Sequence, residues 1–129
     1  MTSEQQAVLA ANQAFYRAFE KKDIEAMSAV WSLGTGSLCI HPGRKALRGW
    51  GAIRSSWEQI FKNTDYIEIE MDIVATEVSG NVAHVVLVEN LLQAFGNRQI
   101  QAQSMATNIF ERMGPGWYLV HHHGSPLAR

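Results

Sequence analysis

The sequence predicts an α+β fold, in which a curved antiparallel sheet packs on three N-terminal helices. Two observations lead to this prediction. Up to residue 63 the apolar residues recur mainly at helical spacing, and from Asp65 onward they alternate as in β-strands. Glycine-containing turn signals then divide the second half of the chain into four consecutive long strands.

Three segments have the pattern of amphipathic helices. Ser3 is a suitable N-cap for a helix over residues 3–22, and Asp23 is a suitable N-cap for a shorter helix over residues 24–32. The third helix is predicted over residues 50–63. Between the second and third helices, the sequence SLCIHP predicts a short strand that ends at a proline, and GRKALRG predicts a loop.

The four long strands are predicted to form an antiparallel meander over residues 66–79, 82–95, 99–113 and 117–125. Gly80 and Asn81 are typical of a tight hairpin turn. The second of these strands is almost entirely apolar, so both of its faces should be covered. Since the helices cover one face, we expect a second subunit on the other face and therefore a homodimer.

Composition excludes several classes of protein. The chain has 129 residues, of which 47% are hydrophobic, and this fits a single domain over residues 1–129. Eleven basic and twelve acidic residues nearly balance, so there is no electrostatic reason to expect a nucleic-acid or membrane partner.

The cellular location is inferred from three further features. No apolar stretch approaches the roughly 20 residues that span a bilayer, and the first residues lack the pattern of a secretory signal. The single cysteine, Cys39, cannot form an internal disulfide and is expected to be a buried thiol. These features predict a cytoplasmic protein.

The order of the segments resembles the nuclear-transport-factor-2-like superfamily, and within it the SnoaL-like branch. The resemblance is carried by AFYRAFEKKDIEAMSAVW, CIHPG, LRGWGAIRSSWEQIF and GWYLVHHHGSP. It implies a cone-shaped, cystatin-like fold that encloses a pocket. This fold hosts isomerases, cyclases, dehydratases, hydrolases and inert scaffolds, so it leaves the function open. The ending also resembles the association domain of calcium/calmodulin-dependent protein kinase II.

Resemblance to the ketosteroid isomerase branch implies three catalytic candidates. Tyr16, seven residues before Asp23, matches an oxyanion-binding tyrosine. His41, followed by Pro42, stands where those isomerases carry a general-base aspartate, and Asn108 stands where they carry a protonated aspartic acid. Histidine can act as a base near neutral pH, and an asparagine amide can donate to an oxyanion. Tyr16 as a packed helix residue, and His41 and Asn108 bonded to backbone groups, are the structural alternatives.

Six further residues are candidates for ligand binding, namely Trp31, Trp57, Glu89 and the three histidines at positions 121 to 123. Three consecutive histidines follow WYLV and precede GSP without a break, so we interpret them as strand residues and not as a purification tag. Alternation places His121 and His123 on one face and His122 on the other, and the sequence leaves open which face lines the pocket. Trp31 and Trp57 are expected in the core or the pocket wall.

Glu89 interrupts an apolar strand, where an unpaired carboxylate is rare. It either lies in the pocket or pairs with Arg98 or Arg112 across the sheet, and we favour the pair. His121, His123 and His41 could converge on a metal, but no zinc-binding motif accompanies them, so neither a metal nor a cofactor is expected.

Two functions follow from these residues. The first is a homodimeric pocket protein that binds a small, largely apolar molecule; if it is an enzyme, it is a cofactor-free isomerase, cyclase or dehydratase. The second is a non-catalytic association module. The absence of a fused domain in this sequence disfavours the second.

Overall fold

A computed structural model describes residues 1–128 and confirms the α+β prediction. Its helices are α1 (Ser3–Lys21), α2 (Ile24–Val30) and α3 (Trp50–Asn63). A capping box begins α1, in which the Gln5 amide donates to Thr2 Oγ1 at 3.1 Å and the Thr2 amide donates to Gln5 Oε1 at 3.0 Å. The N-cap is therefore Thr2 and not Ser3. Asp23 caps α2 as predicted.

Six strands form a single sheet. They are β1 (Leu38–Ile40), β2 (Leu47–Arg48), β3 (Tyr66–Ser79), β4 (Val82–Phe95), β5 (Arg98–Met113) and β6 (Gly116–Pro126). The order across the sheet is β2-β1-β6-β5-β4-β3. The predicted antiparallel meander is confirmed for β3 to β6, and β1 pairs with β6 in parallel. The prediction of a loop over residues 43–49 missed β2, because two residues are too few to show a periodicity.

The sheet is curved and does not close into a barrel. Register shifts occur between Ile73 and Ala75 on β3 and between Leu119 and His121 on β6, and such bulges bend a strand locally. Before the first shift, Ile67 and Ile69 are buried as their alternation predicts, whereas Ile73 is 44% exposed. The bulge therefore ends the simple alternation of β3.

The main core lies between the helices and the inner face of the sheet, which is the face toward them. Cys39 is buried there, as predicted. The outer face carries half-buried apolar side chains along β4 and β5, among them Val86, Val88, Met105 and Ile109. None of the helices in the described residues is long and apolar enough to cross a membrane.

Candidate functional site

A cavity of about 980 Å³ lies between α3 and the inner face of the sheet. Much of its wall is apolar and comes from α1, α3 and the neighbouring strands, including Phe19, Ile60, Leu91 and Phe95. His41, Glu89 and His122 contribute titratable groups to the same cavity. Apolar walls with a few convergent polar groups are typical of small-molecule sites.

A rigid turn places His41 at the cavity. The Arg44 amide donates to the His41 carbonyl at 2.9 Å, and Gly43 between them has a φ of 75°. Pro42 and this glycine fit the two central positions of a type II turn. Gly124 on β6 lets the turn pack closely, because a Cβ there would lie 3.1 Å from Pro42 Cγ.

The His41 imidazole is neutral at pH 7. Its Nε2 lies 2.6 Å from Ser56 Oγ on α3, and its ring packs edge-on against Trp57 with the centroids 4.9 Å apart. Burial, with a further contribution from the Arg44 guanidinium, lowers the pKa of His41 to about 4. An uncharged ring of this kind can accept a proton, but it is a weak base at neutral pH.

Glu89 is the buried carboxyl group of the cavity. It lies in the middle of β4 with 2% of its surface exposed, and its Oε2 accepts a hydrogen bond of 2.6 Å from the Tyr16 hydroxyl. Burial raises the pKa of Glu89 to about 7, although the Tyr16 hydrogen bond acts in the opposite direction. Near neutral pH this group can therefore both accept and donate a proton.

The predicted pairing of Glu89 with an arginine is wrong. Its partner is Tyr16, and Arg112 instead lies 3.4 Å from Glu4 at the surface. The alternation of apolar residues along β4 could have shown that the Glu89 side chain points toward the core. Ala83, Val85 and Leu87 precede Glu89 at alternate positions of β4, so the carboxyl group shares their buried face.

A chain of buried hydrogen bonds continues from Glu89 through Tyr16 and Asn108 to His122. The amide nitrogen of Asn108 donates to Tyr16 Oη at 3.1 Å and to Asn12 Oδ1 at 2.9 Å. The amide oxygen of Asn108 lies 2.5 Å from His122 Nδ1. Since that oxygen can only accept, the Nδ1 atom of His122 carries the proton and its Nε2 atom is free to accept one.

Burial also keeps His122 neutral. Its side chain is 2% exposed, and burial, followed by the neighbouring histidines, lowers the pKa to about 3. The ring packs against Phe15 with the centroids 5.0 Å apart. The inner histidine of the triplet is therefore a fixed, uncharged part of the cavity.

The structure brings together some of the predicted site residues and separates others. His41, Glu89 and His122 line the cavity, while Tyr16 and Asn108 lie one layer behind it. The four remaining candidates do not contribute to its wall: Trp31 and Trp57 are buried in the core, and His121 and His123 lie on the outer face. Within residues 1–128, no group of three His, Cys, Asp or Glu side chains is arranged to hold a metal ion.

Several polar residues of the site were not among the candidates from the sequence, and four of them bear on its chemistry. Ser56 bonds to His41, and Asn12 bonds to Asn108. Arg44 and Lys45 line the cavity at an exposed position. The His-Pro-Gly-Arg turn could have suggested Arg44, because a turn of this type holds the residue after the glycine close to the histidine.

Comparisons with known proteins support the fold and the family. A family model described as a SnoaL-like domain matches residues 8–129. A Streptomyces avermitilis protein of the NTF2-like family, named as a candidate dehydratase, is 35% identical, and its structure matches with a TM-score of 0.90 over 98% of both chains. A Thiobacillus denitrificans protein, named as a candidate calcium/calmodulin-dependent protein kinase type II association domain, is 31% identical, with a TM-score of 0.79 over 92% of this chain and 94% of that one.

A plant protein is also similar. The F-box protein SKIP8 of Arabidopsis thaliana is 24% identical over 121 residues, which is 94% of this chain. The chain spans 50% of the length of that plant protein.

Proposed function

We propose, from the premise that the chain belongs to the SnoaL-like domain family, that it binds a small, largely apolar molecule and transforms it by cofactor-free acid–base chemistry. The observation that supports this proposal is the buried Glu89 carboxyl group, facing an apolar cavity and held by the Tyr16 hydroxyl. A pKa near 7 suits a group that must both take and give a proton at neutral pH.

In this proposal Glu89 is the general base. It removes a proton from a carbon atom next to a carbonyl group, and His41 or Ser56 donates a hydrogen bond to the oxygen on which charge develops. Tyr16 and Asn108 position the carboxyl group and do not contact the substrate. Dehydration is the favoured reaction class, because the Streptomyces relative with 35% identity is named as a candidate dehydratase. In that reaction Glu89 returns the proton to a hydroxyl group on the next carbon atom, whose C–O bond breaks as the C=C bond forms, and the hydroxyl group leaves as water.

A thermal-shift screen against a metabolite library tests binding. Ligands that bind the folded protein raise its melting temperature. Ala102 lines the cavity at an exposed position, so Ala102→Trp fills the space without entering the core. A compound that shifts the wild type but not Ala102→Trp binds in the cavity. If no compound shows this difference, the cavity does not serve as a binding site.

Exchange in heavy water tests the chemistry of each compound found in this way. A base that removes a carbon-bound proton introduces deuterium from the solvent, and mass spectrometry detects this even when the product is an isomer. Glu89→Gln keeps the size of the side chain and its capacity to bond to Tyr16, so it should bind the compound and lose exchange by a factor of about 100 or more. Unchanged exchange in this variant would show that Glu89 is not the base.

An association module is the second candidate, favoured by the 31% identity to the Thiobacillus protein. For the pocket protein we expect a homodimer, formed through the apolar outer face of the sheet. Light scattering after size-exclusion chromatography should give twice the mass of the chain, and Val88→Lys should give monomers. Rings of more than two subunits, together with an absence of cavity ligands, would favour the association module.

A further inference from the structure

Two cations stand at one side of the cavity. Arg44 and Lys45 are exposed and line the cavity, and among the described residues they are its only charged lining residues apart from Glu89. Within residues 1–128, neither side chain has an ion pair or a side-chain hydrogen bond. They therefore have no local partner that explains their position.

The backbone holds Arg44 in place. The turn from His41 to Arg44 is closed by a hydrogen bond of 2.9 Å, and its proline and positive-φ glycine restrict the alternatives. A guanidinium on such a turn loses little backbone freedom when it binds a ligand. Its planar donors match a carboxylate or sulfonate group.

The negative and positive groups of the cavity differ in their exposure to solvent. Glu89 is buried at the inner face of the sheet, and the two cations are exposed. A ligand with an anionic group is attracted by the cations and, when Glu89 is ionised, repelled by that carboxylate. The rest of such a ligand can pack against the apolar lining residues Ile60, Leu91 and Phe95.

We propose that the ligand of this cavity is an amphipathic organic anion, whose charged group pairs with Arg44 and Lys45 while its apolar body extends toward Glu89. This inference rests on the proposed function, since it specifies the class of molecule that the same cavity binds. It adds that the molecule carries a carboxylate or an equivalent anion. A neutral apolar compound of the same shape is then a poorer ligand.

A pair of fluorescent probes tests the inference. 8-Anilinonaphthalene-1-sulfonate and N-phenyl-1-naphthylamine share the same ring system, but only the first has an anionic group. Titrations are carried out on the wild type, the double variant Arg44→Gln/Lys45→Gln, and Lys62→Gln. The last is an exposed lysine on α3 outside the cavity wall and serves as the control for loss of surface charge.

The wild type should bind the sulfonate more tightly than the neutral probe. The double variant should bind the sulfonate about three- to tenfold more weakly, while its affinity for the neutral probe stays within about twofold. Lys62→Gln should bind both probes as the wild type does. Salt should weaken sulfonate binding to the wild type more than to the double variant.

Three results would overturn the inference. They are an unchanged sulfonate affinity in the double variant, an equal loss for both probes, and a loss of the same size in Lys62→Gln. Ala102→Trp separates failure of the inference from failure of the proposed function. If the neutral probe binds the wild type but not Ala102→Trp, the cavity accepts apolar molecules whatever the role of the two cations.

Discussion

The inner and outer faces of the sheet give the same amino acid two different environments. His122 and His123 are adjacent on β6, and they lie on opposite faces. The inner histidine is 2% exposed, bonded to Asn108 and packed on Phe15. The outer one is exposed and has no side-chain hydrogen bond within the described residues. The fold therefore sets the role of each of these histidines more than its chemical type does.

The carboxyl groups show the same contrast. Glu89 on the inner face is bonded to a buried tyrosine, and burial raises its pKa to about 7. Glu68 on the outer face accepts a hydrogen bond of 2.8 Å from Tyr66, and that bond is exposed. The hydrogen bonds of the two tyrosine–glutamate pairs have similar lengths, but one is buried and the other is exposed to water. Water weakens an exposed hydrogen bond, because it competes for both partners.

The largest effect is expected from the histidines. His122→Ala removes a packed ring and leaves the amide oxygen of Asn108 without its donor, so the free energy of unfolding should fall by about 4 kcal/mol. His123→Ala removes an exposed side chain and should change the free energy of unfolding by less than about 0.5 kcal/mol. Urea denaturation at pH 7 measures both. Equal losses would contradict the assignment of the two faces.

The pH dependence of Glu89 is the second test. Its folded-state pKa of about 7 lies above the ordinary value of 4.5, so folding favours the protonated form. The resulting stabilisation is fully present below pH 4.5 and is lost as the pH rises through 7. Relative to the wild type, Glu89→Gln should therefore become more stable by about 3 kcal/mol between pH 4.5 and pH 8.

Comparing the variant with the wild type isolates this one group. His41 and His122 have lowered pKa values, so each of them destabilises the folded protein as the pH falls below 6.5. Both histidines are present in the two proteins, and their contributions cancel in the difference. A difference in unfolding free energy that stays constant with pH would show that the pKa of Glu89 is not raised.

Periodicity in the sequence was sufficient to predict the helices, the long strands and the alternation of the histidines. It could not select the inner histidine, because that choice depends on register. His122 lies opposite Asn108 in the pairing of β5 with β6, and both point toward α1. A bulge in β6, where Val120 is the extra residue between Leu119 and His121, shifts the register between these partners and the preceding turn, so counting from the turn gives the wrong pairs.

The partner of Glu89 was also beyond the sequence. Tyr16 and Glu89 are 73 residues apart, and they meet only because α1 packs across β4. The strand pattern directs Glu89 inward but says nothing about which helical residue lies above it. The candidate arginines were chosen for their opposite charge, whereas burial favours a neutral donor, since an unpaired or poorly paired charge is costly in the core.

The smallest expected effect comes from removing one hydroxyl group from each tyrosine–glutamate pair. At pH 8, where Glu89 is mostly ionised, Tyr16→Phe removes a charge-assisted hydrogen bond in a buried position and should lower the unfolding free energy by about 2 kcal/mol. At pH 5 Glu89 is neutral, so the loss should be smaller. Tyr66→Phe, the matched control on the outer face, should cause no measurable change at either pH, because water replaces the lost partner. If both variants lose the same stability, the difference in water access between the two faces does not control the strength of these bonds, and burial does not account for a raised pKa of Glu89.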